Sequence, residues 1–557
     1  MENSIWKVKA AAVAVVCGAG SAHAVDIDVG DADWSVRWDN TVKGSTLYRT
    51  KSADPRLVDS FRLLVPGDST SAFPQALNFN AGDDNFRKTG FASERVDLLS
   101  EFDAIYQKNF GLRLSAAAWY DAAYHRSSDA TDTANGQSPI NRFPAVTRSM
   151  AGGKAEVLDA FVFGGWNLGD EHKLTMRLGN YALQYGESLF FGDNGIARAQ
   201  GPIDIYKLLS SPNAQFKEII RPVPQVSTQL QLSQDVSIGG YYQFHWEEDR
   251  LPPTGSYFST ANIAWGSHQS EVVGIASGPI AGNYVLAASS DVKPPNLGQF
   301  GGQLKWRLDE TDLGFYVARY HDKDGQLYGN LNLATPTASR WYYVFPSAVK
   351  TAGLSASRSI GDVNFAAETS MRWDMPLRSQ NMLYPGAVAP QPQYATARTL
   401  HANLSWLASF GQTFLSRESS LIGELAWNRV LKIDDPDAQL DAERSKSATA
   451  IQVIFSPTYR QALPGLDLNV PVGLRYTING NSAITAWDAS KTGNATIGLE
   501  GNYLGVWQFT ATYTQYLGKA TPFVDYTPAL AGGNPIYGHG NDLADRNNIT
   551  VSLRRTF

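Results

Sequence analysis

The chain has 557 residues, 43% of them hydrophobic and 18% charged, with a formal net charge of −6 and a single cysteine. The acidic balance disfavours a nucleic-acid partner, and one cysteine excludes an intramolecular disulfide or a cysteine-rich metal site. After residue 24 no apolar run approaches the roughly 20 residues that a membrane-spanning helix needs, which excludes a helical membrane protein.

At the N-terminus Lys7 and Lys9 precede an uncharged run from Ala10 to Ala22 that ends in Ala22-His23-Ala24. This is the pattern of a secretory signal peptide over residues 1–24. Val15 and Val16 stand where a lipoprotein signal carries a small residue before its cysteine, so no lipid anchor is expected at Cys17. The expected mature chain, 25–557, begins at Val25 and keeps no thiol. Two lysines and one glutamate leave with the signal, giving 45 basic against 52 acidic side chains.

From Trp34 onward apolar and polar residues alternate repeatedly, the period of a strand with one lipid face and one wet face. Segment 110–124 puts Phe110, Leu112, Leu114, Tyr120 and Tyr124 on one face and Arg113, Ser115, Trp119 and Asp121 on the other. Val226 to Leu232 and Val236 to Trp246 alternate on either side of a short turn at Asp235 and form a hairpin. In chain order the predicted strands are 34–44, 94–106, 110–125, 155–166, 172–180, 225–234, 236–247, 297–308 and 313–321. The second half adds 349–358, 363–374, 398–410, 420–432, 448–459, 466–476, 493–503, 506–517 and 548–557. Runs 155–166 and 349–358 are the least regular, so the expected count is about 16–18.

In the last strand Ile549, Val551 and Leu553 alternate with polar residues up to Phe557. A terminal strand of this form resembles the recognition signal of the barrel-assembly machinery, an expected partner together with outer-membrane lipid. Every second connector is short, among them 107–109, 167–171 and 504–505, and those between are mostly long. Short inner turns and long external loops fit an outer-membrane barrel. The expected fold is all-β, a transmembrane antiparallel outer-membrane β-barrel with both termini on the periplasmic side. Tyr124, Trp246, Trp373, Trp427, Tyr503 and Trp507 fall near strand ends, as interfacial girdle residues do.

A barrel of that size leaves an aqueous lumen unless something fills it. Inward positions Arg113, Asp121, Lys173, Arg177, Lys305, Arg307, Glu368, Arg372, Glu424, Arg475 and Glu500 predict solvated wall charges of both signs. The connector 181–224 differs from the other loops: it holds GESLFFGDNG at 186–195, then Pro202-Ile203-Asp204 and Pro222-Val223-Pro224. Residues 203–209 and 213–220 each suit a short amphipathic helix, with Ile205, Leu208 and Leu209, then Phe216, Ile219 and Ile220, as apolar faces. The lumen wall is the nearest surface for them, so this loop segment is expected to fold into the lumen. Its candidate ligand or constriction residues are Gly186, Glu187, Ser188, Asn194, Asp204, Lys207, Lys217 and Glu218.

Leu178-Gly179-Asn180, Tyr185-Gly186-Glu187-Ser188, Asn194-Gly195, Pro202-Ile203-Asp204, Lys207-Leu208, Lys217-Glu218 and Pro222-Val223 together resemble the hallmark of a proteobacterial family known as domain of unknown function, family 1302. Trp34-Ser35-Val36-Arg37-Trp38-Asp39-Asn40-Thr41 is similar to its opening strand, and the likeness extends to Phe557. The resemblance implies an outer-membrane barrel, linked with transport of hydrophobic or aromatic compounds in association with envelope transporters.

The leading functional expectation is a passive channel for a small organic, hydrophobic or amphipathic solute, narrowed by segment 181–224 and needing no cofactor. An outer-membrane hydrolase is the alternative, with His401, Asn403 and Ser405 on one inward face. Positions two apart on a strand are separated by about 7 Å, too far for direct hydrogen bonding between them. His245 has no identifiable nucleophile. His539, Asn541, Asp542 and Asp545 in a Gly-rich loop are a weak metal candidate, and loops 45–92, 248–296 and 518–547 leave an adhesive role open.

Overall fold

The computed structural model describes residues 25–58, 81–131, 139–169, 171–211, 215–260, 271–275, 282–379, 383–385, 394–434, 440–441, 443–522, 524–525 and 536–557. The expected signal peptide, residues 1–24, lies outside them.

Eighteen antiparallel strands close a transmembrane barrel. They are β1 Trp34–Arg49, β2 Gly90–Tyr106, β3 Phe110–Asp121, β4 Gly153–Asn167, β5 Lys173–Tyr181, β6 Val223–Gln231, β7 Val236–Gln243, β8 Gln299–Leu308 and β9 Thr311–Tyr320. There follow β10 Val349–Ile360, β11 Val363–Pro376, β12 Thr396–Phe410, β13 Glu418–Ile433, β14 Ser447–Leu463, β15 in two pieces (Leu466–Asn469 and Val472–Asn479), β16 Gly493–Tyr503, β17 Trp507–Leu517 and β18 Asn548–Thr556. Each pairs with its neighbours in sequence, and β1 pairs with β18 from Thr41↔Thr556 to Arg49↔Asn548, which removes the free edges that an open sheet would expose. A short strand, Val25–Ile27, continues the ladder along β1 at Val36–Trp38, just beyond the end of β18.

All the predicted strands are present, including the two irregular ones. β3 stops at Asp121, whose carboxylate accepts the Ala123 amide and starts a helical turn. The break in β15 falls at Val470-Pro471, across from Pro457 of β14, where two residues without an N–H interrupt the ladder. The tight turns follow from backbone sign: Asp309 (φ 52°) and Gly361 (φ 58°) supply the positive φ that two-residue hairpin turns need.

The outward face is apolar. Leu354 (51% exposed) and Val317 (61%) are characteristic, and in the bilayer they are covered by lipid rather than water. Two expected girdle residues belong elsewhere: Tyr124 is buried with Phe86, Phe143 and Tyr257, and Trp246 is buried against Phe345. Both lie past their strand ends, where the long connectors fold inward and build an apolar layer of their own.

These connectors also form a second sheet that strand periodicity did not reveal, because its members are short. Its order is Leu383–Pro385, Gln326–Leu331, Ser339–Val344, Gly282–Ala288 and Glu271–Ile275. On the other side of the mouth, Arg49 and Arg546 share Asp83 and Asp545 in a fully buried charge cluster, and the Tyr257 ring packs on both guanidinium groups. Three connectors thus meet at the end of β1.

Lipid-face position sets the cost of a charge. Leu354→Arg, at the middle of β10, is expected to destabilise the barrel by about 2–4 kcal/mol and Ile360→Arg, at its turn end, by about 1 kcal/mol or less, measured by reversible denaturant unfolding in liposomes. Equal costs at the two positions would contradict the assigned membrane depth.

Candidate functional site

Three adjacent wall strands create a polar patch on the lumen side. Alternation sends Glu368 and Arg372 of β11, His401, Asn403 and Ser405 of β12, and Glu424 and Asn428 of β13 inward, and the register sets Glu368 opposite Asn403, Ser405 opposite Glu424, and His401 opposite Asn428. All seven are buried, with Glu424 fully so. The expectation of solvated wall charges is therefore corrected at Glu368, Arg372 and Glu424, and also at Asp121, which binds Ser93 and the Glu94 amide.

What buries the patch is the stretch 186–198 of the inserted segment. It has almost no regular secondary structure, so its backbone groups need partners from elsewhere. Glu368 accepts the Glu187 amide (2.7 Å), the Ile196 amide (3.1 Å) and the Ser188 hydroxyl (2.6 Å). Glu424 accepts three consecutive amides, those of Leu189 (3.1 Å), Phe190 and Phe191 (2.9 Å). Arg372 donates to the carbonyls of Asp193 (3.1 Å), Asn194 (2.8 Å) and Gly195 (2.8 Å). Asn194 is buried in the middle: its amide nitrogen donates to Asn403 (2.7 Å) and the Trp427 carbonyl (3.1 Å), and its oxygen accepts from Asn428 (3.1 Å) beside His401 (3.0 Å).

The glycines and apolar residues of this stretch follow from the same fit. Gly186 has φ +86°, and a Cβ on Gly186 or Gly195 would collide with the Glu368 carboxylate. Phe190 and Phe191 enter a recess floored by the small inward residues Ala426, Ala448 and Ala450, with Trp487 at its side and the Arg475 guanidinium over the Phe191 ring.

Further along, Arg198 is buried between Asp249 and Asp322, 2.7 Å from each. Helix Ile205–Ser210 is capped by Asp204, which also binds Arg250 (2.9 Å), itself paired with Glu156 of β4. Helix Phe216–Ile219 carries a capping box with Glu218. The two helices were expected to pack on the lumen wall, and the first does so in part: Tyr206 and Leu209 pack against a cluster that includes Leu47 of β1 and Ala92 of β2, while Ile205 and Leu208 pack with Phe216, Ile219, Ile220, Ala197 and Ile203 of the segment itself.

The predicted site residues therefore split. Gly186, Glu187, Ser188 and Asn194 lie in the attachment to β11–β13, where Glu187 also reaches Lys305 (3.7 Å). Asp204, Lys207, Lys217 and Glu218 lie across the segment and line a cavity of about 630 Å³ bounded by β1–β5 and β18. Of the other expected wall charges, Arg113 pairs with Glu101, Asp103 and Asp159, while Arg177 stacks on Phe161. Arg307 pairs with Asp312, and Lys173 and Glu500 are exposed. Asp545 and Asn541 are taken by Arg49 and by the Gly493 and Leu517 carbonyls.

Sequence reasoning missed Arg198, Asp249, Asp322 and Arg250, whose loop positions carry no period. It also missed Lys43, Arg95 and Arg554 in the cavity, which the alternation of β1, β2 and β18 does place inward. The hydrolase candidates are engaged structurally: His401 binds Thr399 and Asn194, and Ser405 contacts the Glu187 and Ala366 carbonyls.

A family model described as "Protein of unknown function (DUF1302)" matches residues 5–557. The chain belongs to the DUF1302 family. Comparison with curated proteins finds no match. Among solved structures, the chain is similar to Salmonella typhi OmpF in complex with daunomycin (9% identity, 96% of this chain and 100% of that one, TM-score 0.38). It is also similar to Pseudomonas aeruginosa OccK9 (OpdG; 10% identity, 94% and 98%, TM-score 0.41) and to the Acinetobacter baumannii outer membrane channel DcaP (9%, 96% and 100%, TM-score 0.35).

In this DUF1302 barrel the carboxylate attachment sets local stability. Glu424→Ala leaves three buried amides without an acceptor, a loss of about 3 kcal/mol. Hydrogen exchange at Leu189, Phe190 and Phe191 in the refolded protein should then accelerate by a factor on the order of 10², while the wall amides of β1–β3 keep their protection.

In the connector after β9, Lys323 is fully buried, and burial together with Arg198 pushes its ammonium down to about 7. A depressed lysine costs stability below its ordinary 10.5 and ceases to do so above it. Lys323→Met is thus expected to raise Tm near pH 7, with the gain fading as pH approaches 10.5; a loss of Tm across that range would refute the assignment.

Proposed function

We propose that the protein is an outer-membrane channel for passive passage of a small organic, amphipathic or hydrophobic solute, running between the inserted segment and strands β1–β4. The observation that carries this reading is asymmetric filling. The segment is fastened to β11–β13, and a cavity of about 630 Å³ remains toward β1–β5 and β18. That cavity extends from Thr41 and Arg554, near the turn rim, to Tyr257 and Phe258 under the loops. Its lining joins charged residues to Leu47, Trp119, Tyr124 and Tyr206, a mixed surface suited to a solute with both a polar and an apolar part. The segment acts as the constriction, and the connectors over the mouth act as the external closure. The C-terminal strand, with Phe557 hydrogen-bonded to Asn40 at the seam, serves as the contact for assembly machinery.

Single-channel recording of the refolded mature protein in a planar bilayer tests the reading. Discrete openings are expected in the wild type, with larger conductance after removal of residues 186–220. The double variant Glu368→Ala, Glu424→Ala frees the same segment without deleting it and should also enlarge the conductance. A silent wild type, or conductance unchanged in both variants, would remove the constriction assignment.

A further inference from the structure

The charges around the cavity do not balance once their pairings are followed. Asp97 is held by Arg95, Asp159 lies 3.7 Å from Arg113, Glu156 and Asp204 share Arg250, and Glu247 binds Arg221 at 3.1 Å. Glu218 spends one oxygen on the Gln215 amide (3.1 Å). Every carboxylate lining the cavity except Glu218 is thus committed to a guanidinium group.

The cations are not committed in return. Lys207 donates to the Glu218 backbone carbonyl (2.6 Å), and Arg554 donates to the Gln508 side chain. Among the described residues, neither forms an ion pair, nor does Lys217. Lys43 stands 4.0 Å from Asp97, a carboxylate that Arg95 already holds. Lys43 is moreover within electrostatic reach of Arg95, Lys207 and Arg554. These positive groups come from β1, β2, β18 and the inserted helix, so the close approach of like charges is a product of the tertiary fold.

A chain with a net acidic composition sets seven cationic side chains against six carboxylates in the lining of this cavity, and three of the cations, Lys207, Lys217 and Arg554, have no ion pair among the described residues. Their mutual repulsion is relieved by an anion placed between them, and the low-dielectric walls strengthen that attraction. We propose that the cavity is an anion-binding site in which Lys43, Lys207 and Arg554 hold the carboxylate of an organic acid while its apolar part lies toward Leu47, Tyr206 and Phe258. The proposal rests on the channel reading for its place in transport, and narrows the solute to an organic anion.

The experiment uses the refolded full-length mature protein with a matched pair of probes, octanoate and 1-octanol. Reversal potentials in a KCl gradient should show anion preference in the wild type and a shift toward cations in Lys43→Glu, Lys207→Glu, Arg554→Glu. Lys88→Glu, on the exposed external side, should leave the preference unchanged. Calorimetry in detergent should show octanoate affinity falling by about tenfold or more in the triple variant while any 1-octanol binding stays the same. Retained heat-modifiable migration identifies folded variants, and single substitutions at Lys43 or Arg554 stand in if the triple variant fails to fold. Cation preference in the wild type, or octanoate binding unaltered by every one of these variants, overturns the proposal. A silent bilayer with charge-dependent octanoate binding overturns the channel reading alone.

Discussion

Two buried carboxylates and one guanidinium group, all on neighbouring wall strands, receive the backbone of a segment that cannot satisfy itself. A chain passing through a barrel lumen without helix or strand must find partners for each amide and carbonyl. Glu368 and Glu424 collect five amides and Arg372 collects three carbonyls, so a dozen residues of irregular backbone are fixed against the wall. Carboxyl and guanidinium groups suit this because each offers several acceptor or donor sites at one point on the wall, so that one side chain can serve two or three backbone groups. Without them the burial of two carboxylates would be costly.

The rest of the lumen follows from where that attachment sits. Fastened to β11–β13, the segment leaves a large space toward β1–β5 and β18, and its two short helices line that space with Lys207, Lys217 and Glu218. The acidic residues spent on the attachment, together with those paired to Arg95, Arg113, Arg221 and Arg250, leave Lys207, Lys217, Arg554 and Glu218 as the charges of the cavity without an ion pair among the described residues. In the channel proposed above, the same attachment shapes the passage, although no cavity residue takes part in it.

Much of this fold was legible in the sequence. The alternation of Val363 to Trp373 or Leu466 to Tyr476 identifies strands because a wall with lipid outside and polar groups inside imposes a period of two, and the alternation of short and long connectors sets the order. The run from Gly186 to Gly195 stood out as part of the long connector 181–224, whose two short amphipathic stretches need a surface to pack on. What these residues touch was not legible. Glu368 on β11 and Glu424 on β13 look, in sequence, like any other inward wall charge such as Lys173, and only the segment seated on them removes them from water.

The errors share that origin. Tyr124 and Trp246 have the composition of interfacial girdle residues, yet connectors folding over the rim bury both. His401, Asn403 and Ser405 have the chemistry of catalytic groups but serve as partners for Asn194 and the Glu187 carbonyl. By itself the sequence determined a transmembrane barrel, its strands and the segment that enters it, since these depend on local period and backbone chemistry. Only the tertiary structure decided which charges pair and where in the lumen a large cavity remains, because each of these depends on groups brought together from strands hundreds of residues apart.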